Sequence, residues 1–195
     1  MKRQENSIDN YLNSLEHFRK IEGSIANYIG IQDLRSGNVT IRNEKGWREN
    51  EKSIEYIWIV KIARSFVGWG GIFAIKFAES EFRGYSNKEE LIHGIFISSE
   101  NGAEQLYIEN LIDMSQEKVS CFKLNLFDAN KGVSLDGIAY DLRIIARNVD
   151  TFIQTNNPNT NDWKKWEAEI WEMGRQLAKN SNDLELIKLF QSNDN

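Results

Sequence analysis

Hydrophobic positions recur with a helical period at both ends of the chain and with a period near two between them. Over residues 7–22, Ile8, Tyr11, Leu12, Leu15, Phe18 and Ile21 form one stripe, while Asp9, Asn13, Glu16, Arg19 and Lys20 fall outside it. The spacing predicts an α-helix that Ser7 caps and Gly23 ends. Its polar side, which includes His17 beside Glu16, is mixed in sign. A membrane-surface helix would carry a Lys- and Arg-rich face there, so the stripe is read as core packing and no membrane is expected as a partner.

Residues 28–154 read as strands and turns. Asn38–Arg42 is a short strand, and Trp47–Lys52 a charged surface connection. In Glu55–Arg64, Tyr56, Trp58, Val60 and Ile62 alternate with Ile57 and Ile59, so both faces are apolar and the strand is central. Gly71–Ala78 repeats that character after a glycine-rich turn and pairs back antiparallel. Asn101-Gly102 predicts a two-residue hairpin turn that sets Glu100 opposite Ala103, Ile97 opposite Leu106, Ile95 opposite Ile108 and His93 opposite Asn110. A second meander covers 118–154, with Ile138, Tyr140, Leu142 and Ile144 on one face and Thr151–Gln154 as a short last strand. After the loop containing Pro158, Asn161 or Asp162 caps a helix over 162–179 whose stripe is Trp163, Trp166, Ile170, Met173 and Leu177. A final short helix covers 183–190. The expectation is one α+β domain spanning 1–195, a mainly antiparallel sheet of hairpins flanked by an N-terminal helix and C-terminal helices.

Composition narrows the class. With 195 residues and 41% of them hydrophobic, the chain can bury a core without a disulfide or a structural metal. The single Cys121 forms no internal bridge, which fits a reducing compartment. There is no apolar run of bilayer length, and the basic start MKRQENSIDN lacks the apolar segment of a signal peptide, so the expected location is the cytoplasm. Lys plus Arg number 24 against 29 Asp plus Glu, and the resulting charge of −5 opposes nucleic-acid binding. Lys61–Arg64, with Lys76 and Arg83, are read as one solvated edge.

Catalytic motifs are sparse. His17, His93 and Cys121 cannot complete a four-ligand zinc site, and they are read as a solvated histidine, a hydrogen-bonded sheet histidine and a packed thiol. No G-x-S-x-G elbow, H-E-x-x-H or phosphate-binding loop occurs, and Gly68–Gly71 is a hairpin turn. Asp128–Asp136 resembles the start of a calcium loop, but Val133 stands where glycine is required and Ala139 where a bidentate glutamate belongs. Glu79 with Glu81, or Asp136 with Asp141, could serve a two-carboxylate hydrolase, a scheme that usually needs a larger cleft. No catalytic residue, metal or cofactor is assigned. Trp58, Trp163 and Trp166 belong to the core, whereas Trp47 and Trp69 beside turns are free to meet a partner.

Leu135-Asp-Gly-Ile-Ala-Tyr-Asp-Leu142, a following strand, the Asn157-Pro158 loop and Trp163 opening the long helix resemble small bacterial proteins similar to the immunity proteins of toxin–immunity systems. The resemblance lies mainly in residues 118–190. It implies a cytoplasmic, non-enzymatic protein that neutralises a cognate toxin in a stoichiometric complex, and it transfers no catalytic residue. The alternatives are a small carboxylate hydrolase and an interaction or scaffold protein. Trp69, Glu79, Glu81 and Tyr85, near the turns around the second strand pair, are the expected partner-binding surface.

Overall fold

In a computed structural model, residues 2–42, 45–46, 48–64, 68–82, 85–109 and 137–191 are described. The chain begins with helix α1 (Lys2–Tyr28), followed by strands β1 (Gly37–Arg42), β2 (Arg48–Arg64) and β3 (Gly68–Ala78). A two-stranded hairpin of β4 (Ser80–Phe82) and β5 (Tyr85–Asn87) leads to β6 (Glu90–Ser99) and β7 (Gly102–Glu109). Strands β8 (Ile138–Ala146) and β9 (Val149–Asn156) precede α2 (Asn161–Ser181) and α3 (Leu184–Phe190). Among the described residues, seven strands form one antiparallel sheet in the order β7-β6-β3-β2-β8-β9, with β1 paired to the first part of β2.

The expected α+β architecture is present, with helices on both faces of the sheet. Parity along β2 decides which side chains face which helix. Val60 and Ile62, with Ile72, Ile95, Tyr140, Leu142 and Ile144, pack against Trp163, Trp166, Ile170, Met173 and Leu177 of α2 and against α3. Ile57 and Ile59, with Phe73, Ile75, Phe96 and Ile145, pack against Phe18, Ile21 and Ile25 of α1. Each such side chain contributes about 1.5–3 kcal/mol on burial, so the sheet is held from both sides.

Several boundaries differ from those expected. α1 runs through Gly23 to Tyr28, because Ile25 and Ala26 are buried and continue its apolar stripe. The charged segment taken as a surface connection is instead the start of β2, held by ladder pairing of Asn50 with Ile41 and Lys52 with Val39. β9 covers 149–156 rather than four residues. Thr160, whose hydroxyl accepts from the Trp163 N–H at 3.5 Å, caps α2 in place of Asn161 or Asp162. Asp183 caps α3, accepting from the N–H groups of Glu185 and Leu186 at 2.9 and 3.1 Å. The hairpin register is also shifted. Ser99 pairs with Gly102 and Ile97 with Glu104, and after an irregularity Ile95 pairs with Tyr107 and His93 with Glu109. Cys121, the meander over 118–136, the Asp128–Asp136 loop and Trp47 lie outside the described residues.

Candidate binding site at the Trp69 end of the sheet

Three cross-strand neighbours make a polar row on the α1 face: Lys61 of β2 opposite Asp141 of β8, and Asp141 opposite Gln154 of β9. Lys61 Nζ donates to Asp141 Oδ2 at 3.1 Å, and Gln154 Nε2 donates to Asp141 Oδ1 at 3.0 Å. The lysine and aspartate side chains are only 9% and 12% exposed, so each ion is compensated mainly by the other. The reading of Lys61 as part of a solvated edge is therefore corrected: its parity is that of Ile57 and Ile59, which puts it on a covered face. Lys76 departs from that reading too, since it bridges Glu89 and Glu55. The hydrogen bond it donates to the Glu89 carboxylate is the main reason its ammonium is held above the ordinary lysine range.

Trp69 pairs with Ala63, diagonal to Lys61, and the Lys61 ammonium lies 5.4 Å from the indole centroid. His17 of α1 approaches the same indole, with centroids 6.1 Å apart. His17 is not a solvated histidine. Its Nε2–H donates to the Ser99 carbonyl at 2.6 Å, which fixes the protonated nitrogen and the ring's direction. Lys20 donates to the Glu100 carbonyl at 3.3 Å. The Ser24 hydroxyl accepts the Ala103 N–H at 3.1 Å, so α1 is clamped to the β6–β7 turn. Between helix and sheet lies a hollow of about 550 Å3 lined by Asn13, Ser14, Glu16, His17, Lys20, Lys61, Trp69 and Glu100. Trp69 remains 51% exposed there although two side chains support it.

Of the four residues expected to form the surface, Trp69 lies in this hollow. Glu79 follows the far end of β3, and ten residues of strand separate the two by roughly 33 Å. Glu81 and Tyr85 belong to the β4–β5 hairpin beyond Glu79, so the structure does not place Trp69 with the other three. Sequence reading missed His17, Lys61, Asp141, Gln154, Glu16 and Glu100 as its surroundings. The one signal available was a lysine at an inward position of an apolar strand.

No family model, curated protein sequence or solved structure matches the chain. Among the described residues no group of three His, Cys, Asp or Glu side chains could hold a metal ion. No described helix is long and apolar enough to cross a membrane.

Two further polar groups sit on the opposite face. The Tyr140 hydroxyl donates to Glu167 and accepts from Trp171 Nε1 at 2.9 Å, and burial, reinforced by Glu167, pushes its ionisation far above the usual range. It acts as a satisfied polar tie between β8 and α2. His93, 3% exposed, has no partner for Nδ1, and burial pushes its pKa down to about 4. This nitrogen departs from the hydrogen-bonded sheet histidine expected.

Proposed function

We propose that the chain is a non-enzymatic binding protein of the immunity type, acting in the cytoplasm and forming a stoichiometric complex with a protein partner such as a cognate toxin. The observation that carries the binding reading is Trp69, a half-exposed indole braced by Lys61 and His17 on a strand of the central sheet. A large, preorganised aromatic side chain binds at low entropic cost and is the commonest kind of interface anchor. The net charge of −5 favours encounter with a cationic partner. The test is co-purification of the tagged full chain with the product of the adjacent gene, for the native protein and for Trp69→Ala. A one-to-one complex that Trp69→Ala weakens at least about 30-fold, with the unfolding transition little changed, is the expected result. Absence of a complex, or equal affinity of the variant, overturns the reading.

A further inference from the structure

Trp69 lies on the α1 face of β3, and its two neighbours in the strand face α3. Gly68 and Gly70 present no side chain there, and buried Leu189 of α3 takes the space: its Cδ1 lies 4.0 Å from where a Cβ on Gly68 would stand, and a Cβ on Gly70 would overlap its Cδ2. The end of α3 is thus seated directly on the backbone that carries Trp69. Other contacts fix it in place. Phe190 fills the space left by Gly174 of α2 and meets Trp171 edge-on, with centroids 5.6 Å apart. Arg64, the ladder partner of Gly68, donates from Nη1 to the Gln191 carbonyl at 3.3 Å. Gln105 of β7 donates to the Glu185 carboxylate at 2.8 Å.

This end of β3 has little else to hold it. Among the described residues β6 pairs with β3 only from Gly70 onward, so Gly68 and Trp69 are laddered to β2 alone. Glycine has the largest backbone freedom to lose and gives a strand no side chain to pack. An aromatic anchor on such a strand binds well only if the strand is already ordered. We infer that α3 is the buttress that preorganises Trp69, with Leu189 as its positioning residue: seated on the two flanking glycines from the opposite face, it sets how rigidly the indole is presented without touching a partner itself. The inference rests on the binding reading above and names what controls that same surface.

The test reads NMR order parameters in the isotopically labelled full chain, at the Gly68–Gly70 amides and at the Trp69 indole N–H, assigned by its loss in Trp69→Phe. Values near about 0.85 are expected in the native protein, falling below about 0.6 in Leu189→Ala. Leu189→Met, which refills the contact, should restore them. Ile170→Val, a truncation in α2 on the same sheet face, should lower stability and leave them unchanged. If the amide spectrum shows Leu189→Ala unfolded, Leu189→Val makes a smaller truncation of the same contact and should give a partial fall. Unchanged order in a folded Leu189 variant, a native strand end already below about 0.6, or an equal fall in Ile170→Val overturns the inference. With the product of the adjacent gene as partner, Leu189→Ala should weaken the complex at least about threefold in the native background and not in Trp69→Ala. If a complex forms through Trp69 and Leu189→Ala leaves its affinity unchanged, this inference alone falls. If order at Trp69 follows Leu189 but no partner is found, the binding reading falls and the buttress stands.

Discussion

Acid should destabilise this fold through one residue. His93 is buried on the α2 face, paired across the ladder with Ala74 on one side and Glu109 on the other. Glu109 is directed elsewhere, its Oε2 accepting from Asn180 Nδ2 at 2.7 Å and from the Tyr107 hydroxyl at 3.4 Å, and it forms no ion pair with His93 among the described residues. Burial alone lowers the imidazole pKa from 6.5 to about 4. Between those values the unfolded chain binds a proton that the folded chain refuses, so stability falls as pH falls through the window. From pH 7 to pH 5 the loss is about 2 kcal/mol, and by pH 4 about 3 kcal/mol. Against a typical total of about 5–15 kcal/mol, that is enough to move an unfolding midpoint visibly.

The assay is urea unfolding of the native chain and of His93→Leu at pH 7, 6 and 5. Carboxylates titrate in both proteins, so the difference between the two profiles isolates the histidine. The native protein should lose about 2 kcal/mol more than the variant between pH 7 and pH 5, whatever the variant costs at neutral pH. A direct reading comes from NMR, since the chain has two histidines and His17→Asn assigns the signals. Parallel pH profiles, or a His93 ring that titrates near 6.5 in the folded protein, would refute the reasoning.

Other expectations concern packing and the buried ion pair. Asp141→Asn leaves the Lys61 ammonium, with a side chain 9% exposed, without its counter-ion and should cost about 3–5 kcal/mol in urea unfolding. The double variant Lys61→Met/Asp141→Leu should recover much of that loss, and additive effects would show that the two ions are not coupled. Gly174→Ala gains about 1 kcal/mol of helix propensity, but its methyl would lie 2.2 Å from the Phe190 ring. The clash should prevail, lowering stability by about 1–3 kcal/mol and loosening α3, and a more stable variant would contradict the packing described. Tyr140→Phe strands the Trp171 N–H and the Glu167 carboxylate and should cost about 1–3 kcal/mol by thermal or urea unfolding.

What the sequence made legible was whatever a strand or helix decides locally. Parity placed Trp58, Val60 and Ile62 on one face of β2 and Ile57 and Ile59 on the other, and helical spacing placed Trp163, Trp166, Ile170, Met173 and Leu177 inward. What it hid was decided by contacts between distant segments. Asn101-Gly102 carries the preferred hairpin chemistry, yet Gly102 is the first residue of β7, at a φ of 126°. A Cβ on it would stand 2.7 Å from the Lys20 carbonyl oxygen, so close approach of α1, some 80 residues earlier, uses the glycine for space rather than as a turn centre. The positive φ of Gln105, 47°, accompanies the further register shift toward Tyr107.

The candidate site follows the same division. Trp69 was legible as an aromatic residue among glycines, although the turn read over Gly68–Gly71 is in fact the start of β3, where Gly70 and Gly71 pair with Ile62 and Lys61. Its supports were not, because Lys61 meets Asp141 only through the β2–β8 register and His17 meets Ser99 only after α1 has docked. The inward lysine was nonetheless a readable anomaly: a cation on the apolar side of a central strand requires a buried anion or a severe desolvation cost. Here β8 supplies that anion at the directly opposed position, and the paired lysine then supports an indole that stays exposed. An ion pair this well covered is weak evidence for added stability, because apolar residues of similar volume would do as well. What the pair accomplishes that apolar residues could not is to hold a polar, hydrogen-bonded ammonium 5.4 Å from the Trp69 centroid, and that positional effect links the polar row of the sheet to the exposed indole.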